Sequence, residues 1–174
     1  SSTSRGLGDV YKRQLSDESH PCQILADLMT YQEMNGSIKN KKIAWIGDGC
    51  NVCQTYMQAA GIFDFELSIA TPKGYEPSEF FIDNYKKNIN FYSDPLMACE
   101  NADIIVTDVW TSMGQESEKK QRELAFTGFQ VDQNMMNQAK KDAIFMHCLP
   151  AYREKEVSSE VIAVSYTHLR AHET

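Results

Sequence analysis

Asp108-Val109-Trp110-Thr111-Ser112-Met113-Gly114 sets a carboxylate, an indole, a hydroxyl and a thioether directly after an apolar run, Ile104-Ile105-Val106. Three more polar clusters follow strand-like runs: Gly47-Asp48-Gly49-Cys50-Asn51, Thr71-Pro72-Lys73-Gly74 and His147-Cys148-Leu149-Pro150. In a parallel sheet such ends lie along one edge, where open α/β proteins bind ligands. Asn, Asp, Ser, Met, His and Cys gathered there can hold a small zwitterion through charge-assisted hydrogen bonds. Turn conformation alone accounts for Thr71 to Gly74. It does not account for Trp110, Met113 or Cys148.

Other chemistries are weaker. Gly47-Asp48-Gly49 invites a dinucleotide reading, but Val52 stands where the fingerprint needs its third glycine. Ala70-Thr71-Pro72 also lacks the acid that holds a ribose, so a nicotinamide cofactor and an NAD-dependent oxidoreductase are disfavoured. Cys50 and Cys53 form a CxxC without two further zinc ligands nearby, so no metal site is expected. A thioredoxin-like role is weighed for this pair, and packing at a helix start is preferred. Adjacent strand residues point to opposite faces, so His147 and Cys148 form no dyad. His147 is expected to be structural and Cys148 to be a ligand contact rather than a nucleophile. Cys22 and Cys99 are expected to fill helix faces. His20 and Gln23 share one helix face near its start, a good place for an anionic ligand, although a His before Pro also caps helices.

The elements that must position these groups alternate. Apolar residues at helical spacing from Ile24 to Met34 predict a helix entered at Ser16 to Pro21 and closed by Gly36. Strands are predicted over 42–47, 65–70, 89–92, 103–107 and 143–146, with helices over 51–60, 79–87, 95–100, 116–126 and 131–139. This is an α/β pattern: a parallel sheet with helices on both faces. The 174 residues suit one domain, and 42% apolar with 24% charged residues is ordinary for a globular chain. A net charge of −7 argues against nucleic acid or an anionic membrane surface as partner. No apolar run reaches a membrane span, and five cysteines, an odd number, favour reduced thiols and a cytoplasmic setting.

Residues 1–14 and 164–174 have no hydrophobic period and resemble translated adaptor read-through, so both are expected to be non-native tails around a domain over 15–163. Ser1 to Arg5, which tempts as a phosphate loop, therefore carries little weight. The native protein is expected to continue beyond both ends.

Together the motifs closely resemble the ornithine carbamoyltransferases. The matching pieces are His20-Pro21-Cys22-Gln23, Gly47-Asp48-Gly49 leading into Asn51, Thr71-Pro72-Lys73-Gly74-Tyr75, Asp108-Val109-Trp110 with Ser112-Met113-Gly114, and His147-Cys148-Leu149-Pro150. They stand in the family's order and spacing, and the likeness runs from about Leu15 to Ile162. Aspartate and putrescine relatives share the His-Pro-x-Gln element and diverge in the loop that here reads Ser112-Met113-Gly114.

The resemblance implies a Rossmann-like ornithine-binding domain, truncated at both ends. The activity it implies is carbamoyl transfer from carbamoyl phosphate to the δ-amine of L-ornithine, with no metal or organic cofactor. Asn51, Asp108, Ser112 and Met113 would then hold ornithine. His20, Gln23, Cys148 and Leu149 would contact carbamoyl phosphate, with His20 and Cys148 catalytic: His20 a donor to the developing oxyanion, Cys148 close to the attacking amine. That amine must be neutral to attack, and aligning two substrates is worth up to roughly 7–11 kcal/mol. A homotrimer is implied for the whole protein.

The family's Ser-x-Arg-Thr-Arg phosphate loop does not occur in these residues, Cys50 replaces a commoner Asn or Arg, and Tyr152 a commoner His or Lys. The chain alone is therefore expected to be inactive. A competing reading is an amino-acid-binding module without catalysis.

Overall fold

The computed structural model describes residues 19–111 and 118–164. Helix α1 (Pro21–Asn35) is followed by β1 (Lys42–Ile46), α2 (Asn51–Phe63), β2 (Glu66–Ala70), α3 (Glu79–Asn84) and β3 (Ile89–Tyr92). Then come α4 (Pro95–Cys99), β4 (Ile104–Thr107), α5 (Lys119–Ala125), α6 (Gln133–Gln138), β5 (Ile144–His147) and α7 (Ser159–Val164). The five strands form one sheet in the order β3-β2-β1-β4-β5, and every pairing is parallel.

Strand residues alternate between two cores. Ile43, Trp45, Leu67, Ile69, Ile104, Val106, Ile144 and Met146 pack with Ile24, Leu28 and Tyr31 of α1 and Val52 and Tyr56 of α2. Ala44, Ile46, Ala70, Ile105 and Phe145 face the other side, against Cys99 of α4, Met135 of α6 and Val161 of α7. Burial on both faces is why β1, β4 and β5 read as unbroken apolar runs.

From β1 the chain winds outward through β2 to β3, then returns across β1 to build β4 and β5. The direction of winding thus reverses between β1 and β4, whose residues pair Ile43 with Ile104 and Trp45 with Val106. At such a point the connecting loops diverge and leave a crevice. The two tips are tied together: the Thr107 hydroxyl donates to the Ile46 carbonyl at 2.6 Å.

Four details depart from expectation. Helix α2 runs through Gly61 to Phe63 and stops at Asp64, which adopts φ 55°. The sequence carries no marked signal for α7. Cys22 is exposed, so it fills no core, whereas Cys99 is buried. His20 is the N-cap of α1, yet its side chain makes no capping hydrogen bond.

Gly49 shows what the glycines after β1 are for. A Cβ there would lie 2.1 Å from the Pro77 nitrogen and 2.4 Å from the Glu76 carbonyl carbon. Its amide donates to the Tyr75 carbonyl at 2.8 Å. The close approach that glycine permits is therefore taken by the protein's own 75–77 backbone, where a dinucleotide would need it for pyrophosphate. Among the described residues no helix is long and apolar enough to cross a membrane.

Candidate functional site

Asp108 directly follows β4, next to the reversal point, and its side chain is buried. One carboxylate oxygen, Oδ1, accepts from the Val109 amide at 2.7 Å and from the Cys148 thiol at 2.8 Å. The Cys50 thiol lies 3.6 Å from Oδ2. Three adjacent strands, β1, β4 and β5, thus deliver Cys50, Asp108 and Cys148 to one spot. Burial, and then the Asp108 charge, push both thiols well above their ordinary pKa. They are S–H donors at neutral pH, not thiolate nucleophiles, as the sequence suggests for Cys148.

The neighbouring carboxylate is neutralised from within. Asp48, just after β1, pairs with Arg122 of α5, whose Nε also donates to the Trp110 carbonyl. The Arg122 guanidinium lies 4.7 Å from the Tyr75 ring centroid and 5.3 Å from that of Phe126. Burial pushes the Asp48 carboxyl up, and the Arg122 charge opposes it. Trp110 packs on Phe126 with centroids 5.7 Å apart, so packing explains part of this indole after all. Its Nε1 is buried without a partner among the described residues.

Asp108 has no such cation: among the described residues no Lys or Arg pairs with it. A buried carboxylate that, among the described residues, is held by a backbone amide and weak S–H donors is suited to a cationic ligand.

The N-terminus of α1 supplies the remaining groups. The His20 amide donates to Thr55 Oγ1 of α2 at 2.8 Å, which fixes the start of α1 against α2. His20 Nδ1 is buried without a partner among the described residues. Burial lowers the imidazole pKa, and the nearby Asp108 charge opposes that, so the ring is neutral at pH 7. Gln23 Nε2 donates to Asp27 Oδ1 at 2.9 Å, and the Tyr56 hydroxyl donates to Asp27 Oδ2 at 2.6 Å. Asn51 opens α2, and its Oδ1 accepts from the Val52 amide at 2.9 Å.

Burial holds the Asp27 carboxyl up, at about 6, although Tyr56 and Gln23 hydrogen-bond its charged form. The native group keeps its proton until about pH 6, while an unfolded Asp releases it near 3.9. Between those values the native state binds more protons, so stability falls as pH rises from about 4 to about 6. The expected loss is on the order of 3 kcal/mol. Urea unfolding at pH 4.5 and 6.5 measures it, and Asp27→Asn should flatten the difference; an identical slope in that variant would assign the effect elsewhere.

His147 is fully buried, with Nε2 3.2 Å from Glu156 Oε1 and Nδ1 accepting the Leu149 amide at 2.9 Å. It is the last residue of β5, and its ring lies 6.4 Å from that of Phe145, whereas Cys148 follows the strand and packs against the core that holds Met146. Asp108, His147 and Cys148 offer ligand atoms within 4.8 Å of one another. Both imidazole nitrogens and the thiol already have partners, so a metal would have to displace them. Leu149, at φ 51°, precedes a cis bond to Pro150.

The structure therefore joins Asp108 and Cys148 directly and sets His20 close enough to feel the Asp108 charge. Gln23 is tied to Asp27, and Leu149 to His147. Ser112 and Met113 lie outside the described residues. Cys50, Asp27, Tyr56 and Arg122 belong to the site or its supports without having been singled out for it from sequence.

A parallel sheet whose reversal point carries a buried carboxylate with no Lys or Arg partner among the described residues defines a small-ligand-binding α/β domain. The sequence profile of the "Aspartate/ornithine carbamoyltransferase, Asp/Orn binding domain" matches residues 39–170. The chain belongs to the aspartate/ornithine carbamoyltransferase family. It is 59% identical over 148 residues to the ornithine carbamoyltransferase of Ruthia magnifica subsp. Calyptogena magnifica, covering 85% of this chain and 50% of that protein. The ornithine carbamoyltransferase of Methylococcus capsulatus is 53% identical over the same share of each chain. Among solved structures, ornithine carbamoyltransferase from Pyrococcus furiosus superposes with a TM-score of 0.81 at 45% identity, covering 87% of this chain and 50% of that one. The anabolic enzyme from Campylobacter jejuni gives 0.81 at 40% identity, with 86% and 52% covered. The chain spans about half the length of the curated relatives it matches.

Proposed function

We propose that the protein containing this chain transfers the carbamoyl group of carbamoyl phosphate to the δ-amine of L-ornithine, giving L-citrulline and phosphate. The chain supplies the ornithine side of the site. The observation that carries this reading is the buried Asp108 carboxylate, which has thiol and amide donors but, among the described residues, no Lys or Arg partner. An ammonium group of ornithine supplies that cation. Asn51 at the start of α2, with Ser112 and Met113, completes the amino-acid contacts.

The neutral imidazole of His20 donates a hydrogen bond to the carbamoyl oxygen as negative charge develops there. Cys148, kept as S–H by burial beside Asp108, lies where the attacking amine meets the carbamoyl carbon. Gln23 and Leu149 contact carbamoyl phosphate from α1 and from the loop after β5. On this reading the arginine loop that the family uses to grip the phosphate comes from the half of the protein that this chain does not span. The reaction belongs to arginine synthesis or breakdown in the cytoplasm, and the whole protein is a homotrimer.

The test is citrulline formation from ornithine and carbamoyl phosphate. The full-length protein should form it, and the purified 174-residue chain should not. A full-length protein that binds ornithine in calorimetry yet forms no citrulline would be a binding module instead. Turnover by the chain alone would overturn the division of the site.

A further inference from the structure

Gln23, Asp27 and Tyr56 form a hydrogen-bonded line beneath the start of α1. Asp27 lies one helical turn after Gln23 and is 5% exposed, while Tyr56 of α2 is 1% exposed. The carboxylate accepts on both oxygens: Oδ1 from the Gln23 amide at 2.9 Å and Oδ2 from the Tyr56 hydroxyl at 2.6 Å. A carboxylate only accepts, so the face of the Gln23 amide turned towards it must be the NH2. The carbonyl oxygen, the only acceptor on that side chain, is left turned away from Asp27. Among the described residues it takes no hydrogen bond. Tyr56 is in turn fixed by the Trp45 ring, 5.9 Å away, so the line ends in the core.

We propose that Asp27 and Tyr56 are positioning residues that lock the Gln23 amide as a hydrogen-bond acceptor towards the ligand. That makes the site select an acyl phosphate bearing NH2 over one bearing CH3. This inference rests on the contact of Gln23 with carbamoyl phosphate stated above. A methyl group offers the Gln23 oxygen no proton, so acetyl phosphate leaves a partly buried acceptor unpaired. Without Asp27 the amide turns freely, and the preference falls. Binding of inorganic phosphate does not involve the acyl end and is unaffected.

The experiment uses the full-length protein and three ligands measured by calorimetry: carbamoyl phosphate, acetyl phosphate and inorganic phosphate. Gln23→Leu sets the size of the contact. Asp27→Leu, which fills the space without an acceptor, should lower the preference for carbamoyl over acetyl phosphate by about tenfold, close to the Gln23→Leu value. The Kd for inorganic phosphate should stay within about twofold of the parent, a result that a general structural defect would not give. An unchanged preference in folded Asp27→Leu, or equal weakening for all three ligands, overturns the proposal. If Asp27→Leu does not fold, Tyr56→Phe is read the same way. It should give a smaller loss, about threefold, and no loss overturns the proposal. If Gln23→Leu itself keeps the full preference, the contact assigned to Gln23 is wrong and the proposal falls with it. If that variant loses the preference and Asp27→Leu does not, the proposal alone fails.

Discussion

Replacing Asp108 by Asn in the full-length protein is expected to lower kcat/KM for ornithine by about a hundred- to a thousandfold. Truncating one partner of a buried, hydrogen-bonded charge pair costs about 2–5 kcal/mol, and each 1.4 kcal/mol is tenfold. Asn is isosteric and can still accept from the Val109 amide, which donates to Oδ1 at 2.7 Å. The fold should therefore survive, and the loss should fall on the ligand. Calorimetry with ornithine and steady-state kinetics separate the two. Weakening of ornithine binding with the Tm within about 2 °C of the parent is the expected pattern. Cys148→Ser keeps a donor to the same carboxylate and should cost far less. If Asp108→Asn binds ornithine as the parent does, Asp108 is not the counter-ion of the substrate.

The second large effect is on stability. Arg122→Met is expected to destabilise the chain by about 3–5 kcal/mol, the cost of breaking a buried ion pair by removing one partner. Three losses coincide: Asp48 keeps a buried charge without its cation, the Trp110 carbonyl loses the Nε donor, and the stacking on Tyr75 and Phe126 disappears. For a domain of this size the melting midpoint should fall by roughly 10 °C. Asp48→Asn in the same chain should recover part of the loss, because the orphaned charge goes with it. Thermal unfolding of parent, single and double variants measures the cycle. A single-variant shift below about 2 °C would mean that the pair is solvated rather than buried.

The fold is legible because β1, β2, β4 and β5 are buried on both faces. Ile104-Ile105-Val106 and Ala143 to Met146 have no polar position to spare, so the polar pairs that follow them, Thr107-Asp108 and His147-Cys148, mark the strand ends. Asp108 and Cys148 stand out for that reason, and the structure bonds them to each other. The supports are less visible. Arg122 sits among Lys119, Lys120, Gln121 and Glu123, which resemble a solvated helix face. It is buried by Tyr75, which is remote in sequence, and by Phe126. No local pattern encodes that. Cys50 sits at a helix start where a small apolar residue commonly packs, and only the sheet order brings it to Asp108. Asp27 did leave a signal: an acid on the same helical face as Ile24, Leu28 and Tyr31 is out of place unless it is paired. The end of α2 is also hard to place, since Gly61 looks like a stop while burial of Ala59 and Ala60 carries the helix on to Phe63.

Arg122 has a further consequence. By holding Asp48 and the Trp110 carbonyl together, it fastens the residues after β4 to the frame just before Ser112 and Met113, the residues we propose to hold ornithine. Substitutions beyond that anchor can change which amino acid is accepted without altering what keeps the sheet assembled. Within a family whose domain is named for both aspartate and ornithine, taste in substrate and durability of the scaffold can therefore be inherited separately. A lineage can try a new loop at little risk to the protein that carries it.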